Sequence, residues 1–399
     1  MAEHAVPMRA AAPGPRHYFF GYYDKCPWDA TGRYLLAMET PFMNRPPDGS
    51  DVAVIGLVDA QSGGAFQPVA ETRAWNWQQG CMLRWLPPAN REQILFNDLQ
   101  AGQLVSVILD VGTGRRRVIP HPVYSVSPNG RDAVTLNFAR LHVERPGYGY
   151  AGVPDPQLAD PAPEGDGVFR VDLVTGESQL VVSLAELADY HPDERMAGGA
   201  RHRVNHLQFN PTGSRFIFLH RWKVEGRGYT RLYTVRPDGS DRCLLADDDM
   251  TSHFDWCGPD RVLAWARVAG RGDRYWLFTD RSEEKRVLGD GVLTQDGHCS
   301  YSQDAQWVLT DTYPDRQERK RALILYHPET GRRLDIGRFH SPPGIEGEIR
   351  CDLHPRWSRD GRQVCFDSVH EGRRRMYIAD VADLVGETAG APARWPAWR

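Results

Sequence analysis

A seven-bladed β-propeller of four-stranded antiparallel blades, an all-β fold, is what this 399-residue sequence predicts. The first observation is a motif repeated along the chain: an aromatic residue or Val, one or two small or polar residues, a turn of Pro, Asp or Asn with Gly in most copies, then an alternating apolar run. Its anchors are Trp28, Trp85, Val126, Phe209, Trp256, Tyr301 and Trp357, and repetition at a regular period decides fold class more securely than local propensity. The second is the chemistry around each anchor. Asp-Gly, Asn-Gly and Thr-Gly pairs supply the positive φ of tight hairpins, and RYLLAM, RFIFLH, WVLTDT and QVCFDS have the composition of strands. The third is a further strand-turn-strand segment in each unit, as in TRLYTVRPDGSDRCLL and ALILYHPETGRRLDIG. That makes four short strands per unit of roughly 40–50 residues, the period of propeller blades.

In chain order, residues 1–16 read as a flexible N-terminal tail, 17–385 as one propeller and 386–399 as a Pro/Ala-rich C-terminal tail. The segment HYFFGYYDK, with His17, Tyr18, Tyr22 and Tyr23, leads into the first blade, and part of it is expected to close the ring. The long gap between Val126 and Phe209 reads as an insertion rather than an eighth blade, because PGYGYAGVPDPQLADPAPEGDG has no strand pattern. SLAELADYH is the main helical segment expected.

Composition narrows the function. A mixed net charge of −4 carries no basic stripe for nucleic acid, and GRRRVIP, DRQERKRA and EGRRRMY read as solvated turns and outer strands. The N-terminus lacks the apolar core of a secretory signal, and no apolar run is long enough to span a membrane. Seven cysteines without a CxxC pair fit a reducing compartment, so a cytoplasmic protein is expected. Twelve Trp and fifteen Tyr suit inter-blade packing and also a carbohydrate site.

Four consecutive repeats place a histidine three residues before the anchor: His206, His253, His298 and His354. The upstream repeats have Lys25, Met82 and Val123 there, so the pattern occupies one half of the ring. Inner strands line the channel of a propeller, and side chains alternate along a strand. A histidine opposite in direction to the packed anchor would face the axis unless a bulge intervenes. Neutral imidazoles ligate Zn, Mn, Fe, Cu or Ni. The competing reading, hydrogen bonding of each histidine to the neighbouring blade, explains the one-sided distribution less well. Asp352 and Asp296 offer carboxylate ligands or orienting groups, Gln208 shares the face of His206, and Cys299 and Cys351 read as small buried hydrophobes. Arg350 and Arg203 offer planar forks to a carboxylate, while His17, Tyr22 and Tyr23 are candidate substrate contacts. His220, Arg221, Trp222 and His370 read as structural.

The repeats resemble those of TolB-like propellers and, more specifically, the seven-bladed propeller polysaccharide lyases, the oligogalacturonate lyases among them. The resemblance implies a lyase that cleaves an acidic, uronate-containing oligosaccharide by metal-assisted β-elimination. It implies a divalent cation, manganese with zinc as alternative, held by His298 and His354. His253 is then the base, and His206 a further ligand or a substrate contact. The chain departs from that family in its last metal blade, where RCDLHPRW has one histidine and lacks the family's glutamine and paired histidines. Asp352 or His206 would complete the ligand set. A metal-free version, similar to ulvan lyases, would instead use Arg350 to neutralise the carboxylate and a first-blade tyrosine as acid. Two alternatives stand beside the lyase. One is a metal- or histidine-dependent hydrolase, without a Gly-x-Ser-x-Gly elbow. The other is a non-catalytic propeller that binds protein or glycan. Sugar, linkage and oligomeric state are not encoded in these motifs.

Overall fold

The computed structural model describes residues 4–61, 63–196 and 199–386; the expected C-terminal tail, apart from Gly386, lies outside them. These residues form seven four-stranded antiparallel sheets, the blades expected from the repeat. Six are built from consecutive strands. The seventh combines Arg356–Trp357, Gln363–Ser368 and Arg375–Asp380 with Met8–Ala10, in the register Met8↔Ala379, Arg9↔Ile378 and Ala10↔Tyr377. Met8–Ala10 was expected in a flexible tail. It is instead the outer strand of the seventh blade, so one sheet joins strands from both ends of the propeller and closes the ring. The segment beginning at His17 provides the inner strand of blade one, His17–Phe19.

The anchors explain why blades pack as they do. All seven are buried, and three indoles also bind across blades. Trp85 Nε1 donates to Pro27 O at 2.9 Å, Trp256 Nε1 to Gln208 O at 3.1 Å and Trp357 Nε1 to Ser300 O at 3.5 Å. Each acceptor immediately precedes the anchor of the preceding blade. One residue type thus supplies apolar area and a directional link, the usual economy of a buried tryptophan.

The insertion lies within blade three. Leu184–Asp189 is helical with a capping box between Ser183 and Glu186. A helix not expected from sequence, Phe138–Glu144, begins at Asn137, whose side chain accepts from Arg140 N–H. Arg140 is wholly buried and clamps the loop that follows, donating to Asp160 O at 2.8 Å and Pro161 O at 2.9 Å. The loop so held carries Tyr148 to the channel.

Candidate functional site

The four histidines converge, but alternation alone does not aim them. The inner strand of blade four, Arg201–Phe209, slips register between Asn205 and Gln208, and that of blade five, Thr251–Trp256, slips between Thr251 and Phe254. His206 and His354 sit at φ of 52° and 41°. A bulge turns a side chain out of the strand's alternation, and left-handed backbone at a non-glycine residue persists only where its surroundings enforce it. Met82, at the same repeat position, has φ of 56°, so the bulge belongs to the repeat while the imidazole is the variable part.

All four imidazoles are buried at 5% exposure or less. Ring centroids of His253 and His298 are 4.1 Å apart, and those of His298 and His354 4.3 Å. His206 stacks on Phe254 at 4.0 Å. Tyr22 and Tyr23 stand among them: Tyr22 lies 4.9 Å from His206 and 5.1 Å from His354, and Tyr23 lies 5.2 Å from His298. Gly21 makes this placement feasible. Its φ is 129°, and a Cβ there would lie 2.8 Å from the Gln79 backbone. Arg356 fixes the next turn, donating to Gly21 O at 2.5 Å and to Asp367 at 2.8 Å. The Tyr23 hydroxyl donates to Phe254 O at 2.9 Å and accepts Phe254 N–H at 3.0 Å.

Two imidazoles are oriented by carboxylates. His298 Nδ1 lies 2.9 and 3.0 Å from the Asp311 oxygens, and His253 Nδ1 lies 2.9 Å from Asp296 Oδ1. An Nδ1–H donated to a carboxylate leaves Nε2 as the lone-pair nitrogen. Asp296 therefore serves the histidine of blade five, not His298 two residues on. Burial, then neighbouring His298, holds His354 well below the ordinary imidazole range, and burial followed by His253 does the same to His206. Both are neutral donors. His298 Nε2, His354 Nε2 and both His206 ring nitrogens are buried without a hydrogen-bond partner.

Ligand atoms of His298, His354 and Asp352 lie within 4.8 Å of one another, a donor set that fits a borderline divalent cation. His206 lies outside that trio. Asp352 also has two guanidinium partners, Arg350 Nε at 2.7 Å and Arg321 Nη1 at 2.7 Å. Burial would raise its carboxyl, but the arginines outweigh burial and hold it well below the usual range. Arg350 is itself engaged, by Asp352, the Tyr148 hydroxyl and Gly347 O. Arg203 is different. Its Nε and Nη1 are buried without partners, and burial together with Arg221 and Arg145 pushes its guanidinium down to about 9. Arg221 faces it across the strand pair, with Nε likewise unpartnered. His17 opens the inner strand of blade one beside Arg374 and Arg373, and its Nδ1 is buried without a partner.

Sequence reasoning missed Asp311, Tyr148, Tyr313 and the role of Arg221. Asp311 had a signal: His220, Asp311 and Asp367 each follow the apolar run of a second strand. Tyr148 had none, since it lies in the non-repeating insertion.

No family model and no curated protein matches the sequence. Solved structures do. Oligogalacturonate lyase from Vibrio parahaemolyticus superposes with a TM-score of 0.68 at 14% identity, covering 96% of this chain and 95% of that one. An oligogalacturonate lyase in complex with manganese gives 0.68 at 15% identity, covering 95% and 94%. TolB from Acinetobacter baumannii matches at 0.41 with 15% identity, covering 76% and 63%. The likeness to the two lyases is one of fold over the full propeller. No helix among the described residues is long and apolar enough to cross a membrane, and none of the seven cysteines is in a disulfide.

Proposed function

We propose that the protein is a lyase that cleaves uronate-containing oligosaccharides by β-elimination at the histidine centre. One observation carries the reading: an Asp-oriented, neutral-type imidazole, His253, stands beside a second Asp-oriented imidazole and near buried arginines that lack anionic partners.

Elimination removes the proton α to the uronate carboxylate and breaks the bond to the β oxygen. His253 Nε2 takes the proton, with Asp296 holding the ring and stabilising the imidazolium that forms. The electron pair of the broken C–H bond becomes the new C=C, and the leaving oxygen takes a proton. Tyr22 is suited to provide it: burial keeps its phenol well above the ordinary range, so it stays protonated. Arg221 and Arg203 face the negative charge that builds on the carboxylate, and guanidinium nitrogens buried without a partner gain most from such an anion. Arg350, engaged by Asp352 and Tyr148, orients this wall. His298, His354 and Asp352 would hold a divalent cation, which supplies Lewis-acid withdrawal of charge from the carboxylate.

The two guanidiniums on Asp352 favour one variation, in which His298 and His354 hydrogen-bond the substrate directly without a cation. Metal content of untagged protein, compared with the His298→Ala/His354→Ala variant, separates the two. The lyase reading itself is tested by ultraviolet absorbance of the unsaturated product from galacturonate, glucuronate and guluronate oligomers. His253→Ala should lower the rate by about 10²–10⁴-fold with the fold intact. No absorbing product from any uronate oligomer would overturn the assignment.

A further inference from the structure

A cavity of about 260 Å³ lies over blade six, against the histidine centre. Two of its walls come from segments that already orient the centre, and the outer strands Lys320–His327 and Arg332–His340 supply the rest. Thr294 and Gln295 precede Asp296, the partner of His253, while Thr310 and Thr312 flank Asp311, the partner of His298. Tyr313 belongs to both places: it lines the cavity, and its ring lies 6.1 Å from His298 and 6.4 Å from His253. At 37% exposure it is among the few large apolar side chains presented to solvent. The volume is just below the roughly 300–1,000 Å³ of drug-sized pockets, which suits one sugar unit.

Charge selects the ligand. Three carboxylates and three cations line the cavity, but the carboxylates are engaged. Asp311 holds His298, and Asp315 accepts the backbone N–H groups of Gln317, Glu318 and Lys320. Asp335 accepts two bonds from Arg333, at 2.7 and 3.2 Å. Lys320 and Arg338 pair with Glu318 at 3.3 and 4.0 Å, Arg338 also standing in the field of Asp315, and the Glu318 carboxylate is itself 55% exposed. A solvated partner at that distance is readily exchanged for a better one. The available groups are therefore two cations, several hydroxyl and amide groups, and an aromatic face.

We propose that this cavity is an accessory subsite for an anionic sugar: a second uronate unit of the chain bound at the histidine centre. Its carboxylate pairs with Lys320 and Arg338, its hydroxyls meet Thr294, Gln295 and Thr312, and its apolar face lies on Tyr313. The choice of ligand rests on the uronate reading above; the cavity and its charge do not.

The test is calorimetric titration of trigalacturonate into His253→Ala protein and into the same protein with Lys320→Ala and Arg338→Ala added. Loss of two charge-assisted contacts should weaken binding by about tenfold or more. Lys320 and Arg338 are 40% and 46% exposed, so the core is untouched, and an unchanged melting temperature verifies that. Equal affinity in both proteins overturns the subsite, as does the absence of binding in both. Product formation by the unmutated protein reports separately on the lyase reading. Turnover without a charge-dependent cavity removes the subsite alone. Charge-dependent binding without turnover keeps the cavity and removes the lyase.

Discussion

His298 is gripped twice by Asp311: its backbone N–H donates to Oδ1 at 2.7 Å, and its ring Nδ1 lies 2.9 Å from the same oxygen. One carboxylate therefore sets both the backbone position and the ring plane. Partners of this kind sustain about 10–100-fold in metal affinity where a cation is bound. Asp311→Asn should weaken manganese binding by that factor without changing the circular dichroism spectrum. Unaltered manganese affinity would show that Asp311 serves only the fold.

Asp296 orients His253 by a single contact of 2.9 Å and is partly exposed. Asp296→Asn should lower kcat by about 10–100-fold while KM stays within about twofold, since it steadies the base rather than the sugar. A rise in KM at constant kcat would place Asp296 in binding instead.

Arg221→Met should raise KM for uronate oligomers about tenfold or more and increase thermal stability or leave it unchanged, because the half-buried cation removed has a buried, unpartnered Nε and only a backbone carbonyl, Thr251 O at 3.2 Å, on its Nη2. Clear destabilisation would mean that the guanidinium is structural.

A second histidine pair adds to the acid response of the channel imidazoles. His202 Nδ1 and His220 Nε2 are 2.8 Å apart, and burial, with Arg140 and Arg231 adding to it, pushes His202 down to about 4. Burial and His202 hold His220 well below its ordinary value. The unfolded chain therefore binds protons here that the folded chain refuses between about pH 6.5 and 4, so stability falls as pH falls through that window. Above it the pair adds no pH dependence. Urea denaturation at about pH 7.5 and pH 5 should show a drop in stability that is about 2 kcal/mol smaller per ring replaced in a His202→Asn/His220→Gln variant. An identical drop in both proteins would show that the pair titrates normally.

The propeller was legible because its anchors repeat, and Trp85, Trp256 and Trp357 repeat for a physical reason: each packs and bonds across a blade boundary. The convergence of His206, His253, His298 and His354 followed from the same periodicity, although bulged backbone at His206 and His354, rather than simple alternation, aims them. Tyr22 and Tyr23 were found through clustering, yet their position depends on Gly21 and on Arg356 more than three hundred residues away. Asp311 stands at a recurring strand end whose residue type varies from blade to blade. Tyr148 comes from the insertion, where no repeat constrains the reading. The closing strand was misjudged because MRA is too short for a β pattern and finds its partner only at Tyr377–Ala379.

That last pairing has a consequence in time. Met8–Ala10 leaves the ribosome well over three hundred residues before Arg375–Asp380, the strand it pairs with. At about 5–20 residues per second, tens of seconds separate the two. During that interval the nascent chain can build six blades while the circle stays open and a short strand waits without its complement. Closure thus waits for the strands of the seventh blade, and agents that shield Met8–Ala10 act on that step before they touch any chemistry in the channel.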